Sequence, residues 1–187
     1  GFAIKAEEGG AIHLNTASPA IVNCIIRDNY AIFGSGIHTY NLAATLNIDS
    51  CTFLNNKSQN LGAALKFEKG SGTGNVEVKN CNFKANISNG NGGVACTHGV
   101  PARFINCLAS GNRIGSNNQG IFHVMMNATA TFDNCTIAGN AGVSGCSAIY
   151  ISDGGSFANA NNSIIHSNAM QYPVFGPGTF NPQYCFI

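Results

Sequence analysis

The stretch VKNCNFKAN, residues 78–86, decides the fold, because its pattern returns along the whole chain. It recurs as FINCLASGN at 104–112 and as FDNCTIAGN at 132–140. Successive copies begin about 28 residues apart, which is within the range of periods that repeat architectures use. The repeat therefore determines how every other residue in the chain is interpreted.

Aligned on the central cysteine, the copies form columns of like residues. The cysteine column consists of Cys24, Cys51, Cys81, Cys107 and Cys135, with Ser163 in the sixth copy. The position before it is asparagine in five of the six copies: Asn23, Asn80, Asn106, Asn134 and Asn162. The position five residues after it is always asparagine: Asn29, Asn56, Asn86, Asn112, Asn140 and Asn168. Registered columns of this kind predict coils stacked on one another, with like side chains forming ladders.

Each repeat also contains a second short apolar stretch, such as GGAIHL at 9–14 and QGIFHV at 119–124. Short runs of period two bounded by turns predict strands, and we expect three per repeat. The predicted fold is all-β, a right-handed parallel β-helix (solenoid) of about six to seven coils, with residues 1–187 as a single domain. Asparagine ladders are expected in the turns, because asparagine tolerates the left-handed conformation and its amide can bond to neighbouring coils.

The composition excludes several classes of function. Only 9% of the residues are charged and the formal net charge is +1. This balance gives no basic field for nucleic acid or for an anionic membrane. No apolar run reaches the roughly 20 residues that span a bilayer. Because the first residue is Gly1, we expect a processed chain or a part of a longer one.

Several motifs resemble a known family. The Gly-Gly-Ala-Ile motif at 9–12, the Phe-x-x-Asn motifs at 53–56 and 83–86, and the Asn-Cys-Thr-Ile motif at 134–137 are similar to repeats of polymorphic outer-membrane proteins. The closing Asn-Pro-Gln-Tyr at 181–184 is similar to a motif near the end of many secreted β-helix domains. These proteins are autotransporter passengers of the pectin-lyase-like superfamily. The resemblance implies a right-handed β-helix and an extracellular or cell-surface location, and it leaves the activity open.

The cysteines and histidines predict packing rather than chemistry. The ladder cysteines alternate as inward positions, so we expect free, buried thiols, and no Cys-x-x-Cys pair suggests a zinc site. His13, His38 and His123 fall in one column with Lys66, Cys96 and Tyr150. The neighbours of this column point inward, so the column is predicted to face solvent. No carboxylate joins the histidines in register, and we therefore expect no metal site and no cofactor.

The carboxylates do not form a predicted catalytic centre. Glycoside hydrolysis requires two carboxyl groups about 5 to 9.5 Å apart. Asp49 and Asp133 share a column three coils apart, and only Glu68 and Glu77, which flank one insertion, could approach each other. We therefore expect no enzyme activity from this segment.

Function is predicted from the outward faces and the ends. The first expectation is an extracellular structural or adhesive module that associates end to end into a filament or with other surface proteins, since neither terminus shows a capping segment. The alternative is a carbohydrate-binding or polysaccharide-processing β-helix whose catalytic residues lie outside the segment. In a secreted eukaryotic protein, Asn127, Asn56 and Asn86 would be candidate glycosylation sites, with Asn127 the most favourable.

Overall fold

The computed structural model describes residues 6–116, 119–166 and 168–187, which form a parallel β-solenoid of about six coils. These residues form only strands and turns, so none of them belongs to a helix able to cross a membrane. The predicted all-β solenoid is confirmed. All strand pairs between successive coils are parallel, and equivalent repeat positions lie side by side, as in the pairing of Phe83 with Phe53.

The coils build four parallel sheets, numbered here in the order in which the chain enters them. Sheet 1 contains Ala6–Glu8, Tyr30–Phe33, Lys57–Leu61, Ile87–Ser88, Arg113–Ile114 and Ala141–Gly142. Sheet 2 contains Ile12–Asn15, Ile37–Tyr40, Leu65–Glu68, Ala95–His98, Gly120–Met125, Ser147–Ile151 and Tyr172–Phe175. Sheet 3 contains Ala20–Val22, Leu46–Asp49, Val76–Lys79, Ala102–Ile105, Thr129–Asp133, Phe157–Asn161 and Thr179–Gln183. Sheet 4 contains Ile25–Arg27, Thr52–Leu54, Asn82–Lys84, Leu108–Ser110, Thr136–Ala138 and Ile164–His166.

The prediction of three strands per repeat was wrong, because the cysteine motif contains two bends. The first bend separates sheets 3 and 4 at the asparagine before the cysteine. Residues at this position have positive φ in every coil: Asn23, Ser50, Asn80, Asn106, Asn134, Asn162 and Tyr184. The second bend separates sheets 4 and 1, and positive φ recurs there at Asp28, Asn55, Ala85, Gly111 and Gly139. These two bends, whose left-handed backbone conformation asparagine and glycine tolerate, therefore divide each coil into four strands.

The second asparagine column forms a continuous buried ladder. Asn56, Asn86, Asn112 and Asn140 are almost fully buried, while Asn29 and Asn168 are half-buried at its two ends. The side chain of Asn86 donates from Nδ2 to the carbonyl of Phe53 and to Oδ1 of Asn112, both at 3.0 Å. Its Oδ1 accepts from the backbone N–H and the Nδ2 of Asn56. Each buried amide thus forms hydrogen bonds with the coil on either side of it, and these bonds remove the penalty for burying polar groups.

The interior between the sheets is filled by stacked apolar side chains. Phe53 and Phe83 stack with ring centroids 5.0 Å apart, and Phe104 and Phe132 stack at 5.2 Å. Phe122 from sheet 2 meets both rings of the second pair edge-on. Stacked and edge-to-face aromatic pairs stabilise a fold beyond the area that they bury. Stacked isoleucine, phenylalanine and valine side chains therefore form the core.

The cysteine column lines the same interior. Cys51, Cys81, Cys107 and Cys135 are buried and Cys24, in the first coil, is exposed. All eight cysteines are free thiols in the structure, including Cys96 and Cys146, which are buried, and Cys185, which is half-buried. Burial raises the pKa of the Cys51 thiol to about 11 and that of the Cys96 thiol to about 12. Because the thiolate is the reactive form, Cys51 and Cys96 are expected to be inert.

This arrangement predicts the order in which the thiols react. With an aromatic disulfide reagent at neutral pH, Cys24 should react first and Cys185 more slowly. The six buried thiols should react at least about a hundredfold more slowly than Cys24, because their exposure requires local opening of the coils. In denaturant, all eight thiols should react with the reagent. Fewer than eight, without added reductant, would show that some of the cysteines are oxidised.

Candidate functional site

The middle of the histidine column on sheet 2 is buried, so the prediction that the column faces solvent was wrong for its middle members and holds for His13 at its N-terminal end, which is exposed. Strand register places His13, His38, Lys66, Cys96, His123 and Tyr150 side by side across the sheet. His38 and Cys96 are 0% exposed, His123 is 2% exposed and Lys66 is 5% exposed. Buried histidine and lysine side chains require compensating partners, and this column is therefore the most chemically unusual part of the described chain.

Glycine turns between sheets 1 and 2 account for part of this burial. Gly9, Gly34 and Gly62 have positive φ, and each lies four residues before a member of the column. A Cβ atom added to Gly34 would lie 2.8 Å from the Cβ of His38, and the same holds for Gly9 and His13. The backbone therefore folds directly onto the outward side of sheet 2, where only glycine fits.

Side chains from sheet 1 cover the column from the other side. Glu8 and Phe33 are neighbours in sheet 1, one coil apart. The ring of Phe33 lies over the Lys66 ammonium group, with its centroid 4.4 Å from Nζ, and Glu8 lies over the two histidines. The outward faces of sheets 1 and 2 therefore meet across the glycine turns and form a concave corner.

Glu8, His13 and His38 bring three potential ligand atoms together in this corner. The Nδ1 atoms of His13 and His38 are 3.2 Å apart. Oε2 of Glu8 lies 3.5 Å from the Nδ1 atom of His38 and 3.8 Å from that of His13. These three residues are the group whose donor atoms could hold one metal ion among the described residues. No carboxylate stands in register with the histidines, as expected, but Glu8 reaches them from sheet 1, a contact that the register argument did not consider.

Glu68 connects the buried part of the column to the surface. Its carboxylate forms an ion pair with Lys66, and Oε2 lies 3.4 Å from Nε2 of His38. Burial by itself would raise the pKa of Glu68, but the hydrogen bond from Lys66 and its positive charge outweigh that effect and lower it. Burial, together with the nearby charge of Lys66, lowers the pKa of His38 to about 4. At neutral pH the corner therefore holds an uncharged imidazole between two carboxylates.

A surface cavity of about 310 Å³ opens beside this ion pair. Its lining includes Tyr40, Glu68, Lys69, His98 and Met126. Nδ1 of His98 is 3.8 Å from Oε1 of Glu68, on the side of the carboxylate that faces the cavity. A carboxylate, an imidazole, an ammonium and a phenol thus surround a space large enough for a small polar ligand.

The C-terminal half of the same column is aromatic. His123 lies 5.1 Å from Tyr150 between ring centroids, and Tyr150 stacks on Phe175 at 6.0 Å. Phe175 in turn stacks on Tyr172 at 5.0 Å, and both of these rings are more than one third exposed. Burial and the nearby imidazole of His98 lower the pKa of His123 to about 4. Sheet 2 therefore presents a polar corner at one end of the solenoid and an aromatic row at the other.

The remaining candidate residues are not brought into a common site. Glu77 forms an ion pair with Lys79 on sheet 3, away from Glu68, and Asp133 pairs with Arg103. Asp49 instead accepts a hydrogen bond from Asn80. The predicted glycosylation sites Asn56 and Asn86 lie fully buried in the amide ladder, where an attached glycan is incompatible with the folded chain. Asn127 is exposed and stays a prediction.

A second cavity, of about 430 Å³, lies at the C-terminal end of the solenoid. Its lining is mainly apolar and includes Ile165, Met170, Tyr172 and Ile187. Phe186 forms an isolated parallel bridge with Ile164, and the Cys185 thiol donates to the carbonyl of Ala160 as the ladder cysteines do in earlier coils. The end of the described chain thus repeats the pattern of the coils before it.

Comparison of the chain with protein-family models, with curated proteins and with solved structures found no match.

Proposed function

We propose that this chain is an extracellular structural or adhesive module whose copies stack end to end into a filament. The buried asparagine ladder carries the proposal, because its hydrogen bonds from one amide to the next all run in one direction. In every inner coil, asparagine accepts through Oδ1 from the preceding coil and donates through its backbone N–H and Nδ2 to the following one. A ladder with acceptors at one end and donors at the other is complementary to a second copy of itself.

The two ends of the ladder are suited to this contact. Asn29 donates from its backbone N–H and Nδ2 to Oδ1 of Asn56, and no described residue donates to its own Oδ1. At the other end, Asn168 uses its Oδ1 to accept from Asn140, and its Nδ2 donates to the carbonyl of Ile137. No described residue extends the ladder beyond Asn168. A second copy would meet Asn168 with the coil that precedes Asn29, because strand Ala6–Glu8 pairs with Tyr30–Phe33 in the same chain.

The sheet edges support the same arrangement. Among the described residues, each of the four sheets ends on a strand that pairs on one side only, and the strands at both ends of the solenoid run in the same direction. A copy translated along the solenoid axis would therefore continue every parallel sheet. Contacts of this head-to-tail type do not close into a ring and so produce filaments. The apolar cavity at Ile187 would be covered by the first coil of the next copy.

The extracellular setting and the family relationship are parts of the proposal that rest on the sequence motifs. The Gly-Gly-Ala-Ile and Phe-x-x-Asn motifs support membership among the polymorphic outer-membrane repeats of the pectin-lyase-like, right-handed β-helix superfamily. The near-neutral charge supports association with itself or with other surface proteins rather than with nucleic acid. A role of this kind is non-enzymatic and requires no cofactor.

Electron microscopy and sedimentation of the 187-residue chain at neutral pH test the proposal. We expect filaments with an axial repeat of roughly 30 Å, since about six coils stack at the interstrand spacing of about 4.8 Å. Ile187→Lys places a charge in the apolar end cavity and should raise the concentration needed for assembly at least tenfold, because the charge would be buried without a partner.

Leu108→Lys is the matched control for this experiment. Leu108 is 40% exposed and Ile187 is 44% exposed, but Leu108 lies on the side of a middle coil. The control should assemble as the original chain does. Single rods at every concentration, or filaments that Ile187→Lys leaves unchanged, would contradict stacking through the ends.

A second candidate function is carbohydrate binding on sheet 2. It is favoured by the exposed aromatic row of Tyr172 and Phe175, which continues from Tyr150 along the same face as the cavity at Glu68. Aromatic rings with exposed faces and nearby polar groups are suited to holding sugar rings. A polysaccharide binding screen in which Tyr172→Ala loses a ligand that the original chain retains would support this candidate over stacking alone.

A further inference from the structure

We propose that Glu8, His13 and His38 bind one divalent metal ion in the tetrahedral geometry that suits Zn²⁺. The site lies on the side of the solenoid, in the corner between sheets 1 and 2, and the inference is independent of end-to-end stacking. The ligands would be two imidazole Nδ1 atoms and one carboxylate oxygen, a set that zinc commonly uses.

The spacing of the three donor atoms favours a tetrahedral site. Zinc binds imidazole nitrogen and carboxylate oxygen at about 2.0–2.1 Å, so two ligands of a tetrahedron are about 3.3–3.4 Å apart. Octahedral coordination with bonds of the same length would bring neighbouring ligands to about 2.9–3.0 Å. The observed separations are 3.2, 3.5 and 3.8 Å. The donors are therefore already spaced for a four-coordinate ion.

The orientation of His38 gives an independent indication of a ligand. Its ring is buried, its Nδ1 points at the other two donors, and its Nε2 faces Oε2 of Glu68 at 3.4 Å. Among the described residues, Nε2 has no hydrogen-bond partner of good geometry. Metal-binding histidines usually direct their second ring N–H at a carboxylate, which fixes the tautomer and the ring orientation. Glu68 stands in that position, and a metal on Nδ1 would leave the proton on Nε2 facing it.

Among the described residues, Lys66 is the lysine whose positive charge beside His38 would oppose a metal ion. Its ammonium group lies beside His38 in the column, but it is paired with Glu68 and covered by the ring of Phe33. The positive charge is therefore balanced before a metal enters. Glu8 remains to offset part of the charge of the ion itself.

The proposed site leaves a fourth position open to solvent. The His13 side chain is 37% exposed and that of Glu8 is 47% exposed, so the ion would enter from the surface without opening the core. Three protein ligands and one open position allow a water molecule or a ligand from another molecule to complete the tetrahedron.

Calorimetric titration of the untagged 187-residue chain with Zn²⁺ tests the site. We expect one ion per chain, and a Co²⁺ complex with the intense visible absorption of a tetrahedral ion. Glu8→Gln and His13→Asn should each weaken binding about a hundredfold or more, and both positions are exposed enough for the fold to tolerate the change. Glu68→Gln should weaken binding roughly 10- to 100-fold through the orientation of His38.

His166→Asn is the control, because His166 is an exposed histidine on sheet 4 that lies against Phe186, outside the corner. It should bind Zn²⁺ as the original chain does. Two outcomes would overturn the proposal. One is the absence of stoichiometric binding by the original chain, in which case His13 and His38 share only a proton across their 3.2 Å contact. The other is binding that Glu8→Gln and His13→Asn leave intact.

Discussion

Replacing Asn86 with alanine is expected to lower the free energy of unfolding by about 4 kcal/mol. The substitution removes an acceptor that two donors of Asn56 use, and it removes the Nδ2 donor to Phe53 and Asn112. Each buried polar group left without a partner costs about 1–3 kcal/mol. Chemical denaturation followed by circular dichroism measures the change, and hydrogen exchange should show the loss concentrated in the coils that contain Asn56 and Asn112.

Two further variants test whether the loss of stability comes from the buried ladder or from replacing any asparagine. Asn86→Asp keeps the size of the side chain but turns an oxygen toward the carbonyl of Phe53, and it should destabilise at least as much as alanine does. Asn106→Gly changes an exposed asparagine at positive φ, where glycine is equally suited, and should alter stability by less than about 0.5 kcal/mol. Equal effects of Asn86→Ala and Asn106→Gly would contradict the central role of the buried ladder.

Replacing Phe104 with alanine should cost about 3–5 kcal/mol, the range observed for phenylalanine removed from a well-packed core. Its ring is fully buried, stacks on Phe132 at 5.2 Å and meets Phe122 at 5.1 Å. Continuous parallel sheets surround this position and restrain the collapse of the cavity. The same denaturation measurement applies, with thermal unfolding as a second readout.

The matched control for Phe104 is Phe157, which lies in the same sheet but is 41% exposed. Phe157→Ala should cost less than about 1 kcal/mol, because little apolar area returns to water. Phe104→Leu should recover more than half of the stability that alanine loses. If both alanine variants lost the same stability, the stacked rings would not be the principal core of the solenoid.

The repeat columns show how far sequence reasoning could reach. Spacing placed Cys81 and Phe83 on inward positions, and both are buried. It grouped Asn80 with Asn86 as ladder residues, although the two have different roles in the structure. Asn80 lies at an exposed bend with positive φ, whereas the side chain of Asn86 forms hydrogen bonds inside the core. A column of identical residues shows that coils stack, but it does not show which way the side chain turns. That direction depends on the local φ, and asparagine permits both negative and positive φ.

The corner of Glu8, His13 and His38 shows where that reasoning failed. Alternation along the strand placed His38 outward, and it does point out of sheet 2, yet it is fully buried. The signal that could have found this was the glycine four residues before each of the first four column members, as at Gly9 and Gly34. Glu8 was missed because it belongs to another sheet and reaches His38 across a coil boundary.

The sequence by itself determined the solenoid, because a regular repeat of apolar and asparagine positions can bury its apolar face only by stacking on copies of itself. It also determined which columns fill the interior. Only the tertiary structure decided that the outward column of sheet 2 is enclosed and that a carboxylate, two imidazoles and a lysine meet there. The physical reason is that outward side chains are buried or exposed according to the angle between neighbouring sheets. That angle is set where the glycine turns bring sheet 1 against sheet 2, and the recurrence of the glycines does not by itself show which side chains then meet.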